Sequence, residues 1–318
     1  MILGHNQQKE YFNKILQKNR LAHAYLFYGP EAVGKFLFAK TIAKFLHCQK
    51  NLESLEKVCG SCISCRQIEE GAHLEVIVLD REHTLLSKKE ERSDIPIDDI
   101  REIKRRFSLA SPEGKWRVVI INDAHTLSIP AANSFLRLLE EPGTNSVFFL
   151  VTSEKELLLS TIVSRAIPVR FSLLPESVLA RHLQPLVRDE NLREEVLRLS
   201  FGKPGNMLRY IGKKELLEKE LKLRKAVEAA LKSGSPEIFL FTQNLASDEK
   251  ARKSAGEYLL HLLRASLFSK ARQGDVQAIL QGIKKVSYAL SLMDSTNVNP
   301  RLALDIALIE AGNSIKIQ

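Results

Sequence analysis

The chain has 318 residues, 44% of them hydrophobic, which is long enough for two or three packed domains. No apolar run is long enough to cross a bilayer, and the first residues lack the basic and apolar regions of a signal peptide, so we expect a cytoplasmic protein that does not enter the membrane. The 47 Lys and Arg residues against 38 Asp and Glu residues give a formal net charge of +9, which suits a nucleic-acid neighbour, although many basic proteins bind no nucleic acid.

The first predicted strand leads into a phosphate-binding pattern that lacks its metal ligand. The strand covers residues 24–28, and the next eight residues read Gly-Pro-Glu-Ala-Val-Gly-Lys-Phe, the P-loop pattern up to its last position. Gly29, Gly34 and Lys35 can still cradle a phosphate, but Phe36 replaces the Ser or Thr whose hydroxyl holds Mg²⁺. We therefore expect hydrolysis to be badly impaired, and binding of ATP or ADP at these residues is doubtful.

A cysteine cluster follows the helix predicted over residues 36–46. All four cysteines lie in one short stretch, at Cys48, Cys59, Cys62 and Cys65, and the last three are spaced as C-x-x-C-x-x-C. Thiolates at these spacings can converge on a tetrahedral Zn²⁺, and cysteines packed this way in a cytosolic protein seldom form disulfides. The pattern predicts a structural zinc site with four thiolate ligands, for which His47 is a substitute ligand. Reduced surface thiols are the alternative interpretation.

Four further apolar runs predict strands, and helical patterns separate them. They lie at residues 74–79, 117–122, 147–152 and 167–171. Continuous runs rich in Val, Ile and Phe that alternate with helices are typical of a parallel sheet covered on both faces. We therefore predict an α/β domain with a five-stranded parallel sheet.

The end of the third predicted strand carries a second departure from ATPase chemistry. An active P-loop ATPase needs one carboxylate there to orient Mg²⁺ and a second to polarise the attacking water. This chain has the neutral Asn122 and the shorter acid Asp123. Two compromised positions predict that the chain does not turn over ATP. The same residues also fit a strand-to-helix turn in which Ser128 is the N-cap of the next helix and Pro130 lies in its first turn.

Strand patterns stop after residue 171, and helical patterns punctuated by Gly and Pro continue to the end. This change predicts three domains. Residues 1–171 form the α/β domain, which includes a zinc module at about 48–66; residues 172–213 form a small helical lid domain; and residues 214–318 form an all-helical collar domain for oligomerisation.

Several segments resemble the clamp-loader branch of AAA+ proteins. Residues 20–27 (RLAHAYLF) lead into the P-loop as they do in that family, and the cysteine insert follows directly after the P-loop helix. Residues 131–142 (AANSFLRLLEEP) are similar to the family's AAN-x-L-L-K-x-L-E-E-P segment, Ser164-Arg165-Ala166 to its S-R-C motif, and residues 299–304 (NPRLAL) to its collar signature. The resemblance spans nearly the whole chain and implies an AAA+ fold.

The resemblance also implies a role for Arg165, the arginine of the S-R-C-like motif. In the family this residue is an arginine finger that enters the ATP site of a neighbouring subunit, where a guanidinium can stabilise charge on the γ-phosphoryl oxygens. From the residue alone, a surface arginine paired with a carboxylate is the commoner interpretation. Gly205 lies where the ATPase members carry an arginine in the sensor-2 helix, which agrees with Phe36 and Asn122 in predicting a subunit that does not hydrolyse ATP.

The partners implied by the resemblance are the gamma/tau ATPase subunits and the delta subunit of the bacterial DNA polymerase III clamp loader, the sliding clamp, and primed DNA reached through the complex. We expect no intrinsic ATPase activity from this chain, which would act as a component of the DNA-directed DNA polymerase holoenzyme. Two alternatives stay open: an active gamma/tau-like clamp-loader ATPase, and a zinc-dependent DNA-binding module unconnected to clamp loading.

Overall fold

The computed structural model describes residues 2–50, 52–80, 94–108, 115–233, 235–245, 247–270, 276–292 and 298–314. The chain divides into two compact units, residues 1–207 and residues 208–318. The predicted boundaries at 171/172 and 213/214 differ from this two-part division, and the three-domain organisation stays a prediction.

The first unit is built around a five-stranded parallel sheet, as predicted from the apolar runs. Its strands are β1 (Ala24–Tyr28), β2 (Val76–Leu79), β3 (Arg117–Ile121), β4 (Ser146–Thr152) and β5 (Ile167–Arg170), and their order across the sheet is β2-β3-β4-β1-β5. Every residue of β4 is buried, which is why that strand is continuously apolar between its Ser and Thr ends. The order places β1, which leads into the P-loop, between β4 and β5.

Helices cover the sheet on both faces. Phe148 and Phe149 are neighbours in β4, yet they belong to two separate apolar clusters, because successive side chains of a strand point to opposite faces. Phe135 lies in the first cluster, whereas Phe12 and Phe38 lie in the second. The helices of this unit are α1 (Asn6–Gln17), α2 (Lys35–His47), α3 (Ile63–Glu70), α4 (Ile97–Ser108), α5 (Ile129–Glu140), α6 (Ser160–Val163), α7 (Glu176–Leu183) and α8 (Glu190–Ser200); α9 (Pro204–Gly212) runs past the division.

Helix α5 begins as its sequence predicts. The Ala131 amide donates to Ser128 Oγ at 3.3 Å, and Pro130 lies in the first turn, where its missing amide hydrogen costs nothing. The apolar side of α5 packs on the sheet through Phe135, Leu138 and Leu139. This packing fixes the direction of the helix and therefore the place where it ends, at Glu140.

The second unit is helical throughout its described residues. Its helices are α10 (Lys214–Ser233), α11 (Ser235–Asn244), α12 (Glu249–Lys270), α13 (Val276–Leu292) and α14 (Pro300–Ser314). The last of these buries a run of small and branched side chains, including Ala303, Leu304, Ala307 and Leu308. Across the described ranges of both units, no helix combines the length and the apolar character that a membrane crossing needs.

Candidate functional site

The P-loop connects β1 to α2 and closes tightly against the sheet. Gly29 has φ 136° and Gly34 has φ 103°, a region that glycine enters without steric cost. A Cβ atom at Gly29 would lie 2.0 Å from the backbone oxygen of Phe171, the residue that follows β5. A side chain is therefore excluded at position 29, where the loop passes directly over the residue that follows β5.

Lys35 is directed at its own loop. Its Nζ donates to the backbone oxygens of Gly29 at 2.7 Å and Pro30 at 2.6 Å, and the residue is buried. Burial lowers the pKa of Lys35 to about 8, against the smaller opposite effects of Glu31 and Asp123. A phosphate would have to compete with these two carbonyls for the ammonium group.

Phe36 occupies the position of the usual magnesium ligand and behaves as a core residue. It packs, partly buried, against the apolar cluster that contains Phe38, and Lys40 Nζ lies 5.6 Å from the centre of its ring. A phenyl ring has no atom that can coordinate a hard cation such as Mg²⁺. The position that should bind the metal therefore contributes to packing instead.

The end of β3 forms the turn that was predicted beside the degenerate motif. Asp123 adopts left-handed backbone angles (φ 49°, ψ 47°) and precedes a short 3₁₀ turn at Ala124–Thr126. Asn122 Nδ2 donates to Asp123 Oδ2 at 3.4 Å. The Asp123 carboxylate is close enough to Lys35 to act on the pKa of that lysine. The region thus holds a single carboxylate from this motif, beside a neutral amide.

The start of α9 rests directly on the P-loop. The Gly205 amide donates to the backbone oxygen of Ala32 at 2.8 Å, and a Cβ atom at position 205 would lie 2.9 Å from that oxygen. On the same loop, His5 Nε2 lies 2.9 Å from the backbone oxygen of Val33. The sequence indicated Gly205 only as the absence of an arginine and indicated no role for His5. Both residues contact the backbone of the P-loop.

Replacing Gly205 with alanine is expected to destabilise the chain because the added methyl group would overlap Ala32. Gly212→Ala, on the same helix, is the matched control, since no heavy atom lies within 4 Å of a Cβ there. We expect Gly205→Ala to be less stable than Gly212→Ala by about 1–3 kcal/mol, the usual cost of overpacking. Denaturant unfolding of both variants measures the difference, and equal midpoints would show that the contact is looser than described.

Arg165 lies just after α6 and is held by two neighbours. Its Nη1 donates to the backbone oxygen of Thr161 at 3.0 Å, and its Nη2 donates to Glu140 Oε1 at 2.9 Å. Its side chain remains 38% exposed. The following residue, Ala166, is buried in the core. In the isolated chain Arg165 is thus a surface arginine paired with a carboxylate, and this arrangement is also compatible with the interpretation as an arginine finger.

The four cysteines converge, as their spacing predicted. The Sγ atoms of Cys48 and Cys59 are 3.5 Å apart, those of Cys48 and Cys62 4.0 Å, and those of Cys59 and Cys65 3.8 Å, and all four atoms lie within 4.8 Å of one another. Four sulfurs placed 2.3 Å from a tetrahedral centre are about 3.8 Å apart. The set could bind a metal ion such as zinc.

The electrostatics of the cluster also suit a cation. The amides of Cys62 and Ser61 lower the pKa of Cys59 to about 6, so this thiol ionises easily. Burial raises the pKa of Cys65, which would need the positive charge of a metal to become a thiolate. His47, the substitute ligand, instead packs its ring against His73 at a centroid distance of 4.4 Å.

Two sets of contacts that the sequence did not reveal fasten the cysteine module to the sheet domain. Leu55 is buried in the core, and its amide donates to Asn13 Oδ1 on α1 at 2.8 Å. Glu69 on α3 forms ion pairs with Lys40, at 3.3 Å, and with Lys44 on α2. The module is therefore braced against both helices, and a metal held there would stabilise their arrangement.

Comparison with known proteins places the chain among replication proteins. The sequence model of a family described as "DNA polymerase III, delta subunit" matches residues 4–175. The chain is 32% identical over 177 residues to DNA polymerase III subunit tau/gamma of Haemophilus influenzae, covering 56% of this chain and 24% of the relative. It is 32% identical over 183 residues to DNA polymerase III subunit tau of Bacillus subtilis, covering 58% of this chain and 30% of the relative.

The alignments thus span about a quarter to a third of the length of these curated relatives. Among solved structures, the chain is similar to a DNA polymerase III gamma subunit-related protein from Thermotoga maritima, with 22% identity, a TM-score of 0.47, and coverage of 96% of this chain and 99% of the other. Because the family match covers more than half of the 318 residues, the chain belongs to the family described as DNA polymerase III, delta subunit.

Proposed function

We propose that the chain is a clamp-loader subunit of bacterial DNA polymerase III that does not hydrolyse ATP, of the delta-prime type within the AAA+ clamp-loader family. Its role is to help an assembly with gamma/tau ATPase subunits and the delta subunit open a sliding clamp and place it on primed DNA in the cytoplasm. The observation that carries this proposal is Phe36, which takes the place of the magnesium ligand in the P-loop.

Three features support the absence of hydrolysis. Lys35 is engaged by the carbonyls of Gly29 and Pro30, and Gly205 packs against Ala32 where an arginine could not fit. Asn122 gives no charge to a metal shell. Because hydrolysis needs Mg²⁺ to neutralise charge between the β- and γ-phosphates, loss of the metal ligand removes a required part rather than a modulator. Residual binding of ATP or ADP is compatible with this arrangement.

The catalytic contribution of the chain is then made in trans by Arg165. The guanidinium is exposed and follows a short helix packed into the core, so its position is firm while its outer edge is available to another molecule. Inserted beside a neighbour's γ-phosphate, it would stabilise the charge that develops during transfer. The lid and collar domains at 172–213 and 214–318 would give the subunit its rigidity and its place in the assembly.

The metal at Cys48, Cys59, Cys62 and Cys65 is proposed to be a structural Zn²⁺. Four thiolates fill a tetrahedral zinc shell and leave no position for water or substrate. The ion would neutralise the charge of the thiolates and hold the module against α1 and α2.

A gamma/tau-like ATPase is the second candidate, because the curated relatives named above are tau and gamma subunits. Steady-state ATP hydrolysis by the purified chain, with and without primed DNA, separates the two. A motor should turn over ATP with Mg²⁺ and respond to DNA, whereas our proposal expects no turnover above background. Reconstitution with gamma/tau and delta subunits, followed by a mass measurement and a clamp-loading assay, then tests the assembly. Robust turnover by the lone chain would refute the proposal.

A further inference from the structure

Arg165 is paired with the carboxylate of Glu140, which the packing of the first unit brings next to it. Glu140 is the last residue of α5, and its carboxylate binds the Arg165 guanidinium from a different element, across 25 positions of sequence. Both elements are anchored in the same apolar cluster, through Leu139 on α5 and Ile162 on α6. The packing therefore brings the carboxylate to the arginine and sets its pose.

An arginine that is paired with a carboxylate attracts a phosphate less strongly than an unpaired arginine does. The guanidinium acts on a γ-phosphoryl group through its positive charge, whereas the ion pair as a whole is neutral and its carboxylate repels phosphate. The guanidinium has five N–H donors, and the contacts described here use one on each Nη atom. A phosphate can thus approach the remaining donors, but it meets the full positive charge only when the carboxylate is displaced.

We propose that Glu140 is a positioning residue that holds Arg165 in a resting pose and competes with the γ-phosphate of the neighbouring subunit's ATP for the guanidinium. This inference rests on the proposed function of Arg165 as a finger. The two side chains are 38% and 51% exposed, so water screens the pair and its free energy is small enough for a phosphate to replace the carboxylate. Assembly on an ATP-bound neighbour would replace one anion with another at the same arginine.

Glu140→Gln in the reconstituted complex tests this competition. Glutamine keeps an oxygen that can accept from Arg165 but removes the charge that opposes phosphate. We expect kcat/KM for ATP to rise about two- to fivefold, mainly through a lower KM, which is the size of effect that an exposed ion pair produces. The increase should vanish when Arg165→Ala is also present, because the glutamate acts through the arginine. Glu141→Gln, at the adjacent exposed glutamate, is the matched control and should match the parent protein.

A second measurement uses the isolated chain and needs no partner. Side-chain ¹⁵N NMR of arginine, with the signal assigned by Arg165→Lys, should show slow rotation of the Arg165 guanidinium and faster rotation in Glu140→Gln. A freely rotating guanidinium in the parent protein would overturn the inference. So would an unchanged or lower kcat/KM in Glu140→Gln while Arg165→Ala impairs the complex. If Arg165→Ala has no effect either, the proposed function fails and this inference falls with it.

Discussion

Arg165→Ala is expected to reduce ATP hydrolysis at the neighbouring subunit's site by about 10³-fold or more, the contribution usual for an arginine finger. In a complex that contains several gamma/tau ATPase subunits, the total DNA-dependent ATPase should fall to what the other ATP sites supply. Assembly should be intact, because the side chain is partly exposed and its neighbour Ala166 holds the local packing. Single-turnover hydrolysis in the reconstituted complex, together with size-exclusion chromatography, measures both effects.

Two further variants sharpen this test. Arg165→Lys keeps the charge but loses the planar fork of donors, so it should restore only part of the rate. Arg198→Ala, at an exposed arginine on α8, controls for the loss of a surface positive charge and should leave the rate unchanged. If Arg165→Ala hydrolyses ATP at the parent rate with saturating DNA, Arg165 is a surface arginine paired with Glu140 and nothing more.

Cys65→Ser is expected to abolish metal binding and to destabilise the first unit by several kcal/mol, because metal-binding free energy at a structural site is folding free energy. The purified parent chain should contain about one zinc per molecule, and the variant close to none. Metal analysis gives the stoichiometry, and thermal unfolding gives the stability. Ser61→Ala, an exposed position in the same loop, is the control that should keep both the metal and the stability.

The damage should spread along the contacts that fasten the module. Hydrogen exchange should quicken in α3 and around Leu55, and then at the facing residues of α1 and α2, which carry Asn13 and Lys44. The centre of the sheet, β4, should stay protected because all of its residues are buried and it is hydrogen-bonded to β1 on one side and β3 on the other. A metal-free parent chain with the same stability and exchange pattern would refute the zinc proposal.

Much of the first unit could be predicted because its signals are local. The predicted strands at residues 24–28 and 147–152 agree with β1 and β4 within a residue, since a strand buried on both faces must be continuously apolar. The start of α5 was also predicted from a local signal, at Ser128 and Pro130, because a helix cap is satisfied by groups within four residues of it. The convergence of the four thiols also followed from short spacings, with the Cys-x-x-Cys turns supplying three of them.

The contacts around the two candidate sites could not be predicted in this way. The sequence showed that glycine replaces an arginine at position 205, but it did not show that the backbone there is in close contact with Ala32. It placed Arg165 on the surface near some carboxylate without identifying Glu140. These pairs join residues far apart in the chain, and no periodicity or spacing encodes them. They arise because α5, α6 and the start of α9 pack at fixed places around the unit.

The sequence alone shows that two positions of the ATPase motifs are altered, since a phenyl ring at position 36 has no atom that can coordinate Mg²⁺ in any fold and the amide at position 122 has no negative charge to neutralise the ion. The sequence alone does not show which groups the charged side chains of Lys35 and Arg165 contact. The direction of Lys35 toward its own carbonyls and the pairing of Arg165 with Glu140 depend on distances between separate elements. Chemical identity is fixed residue by residue, whereas electrostatic interaction depends on separation and burial, which exist only once the chain is packed.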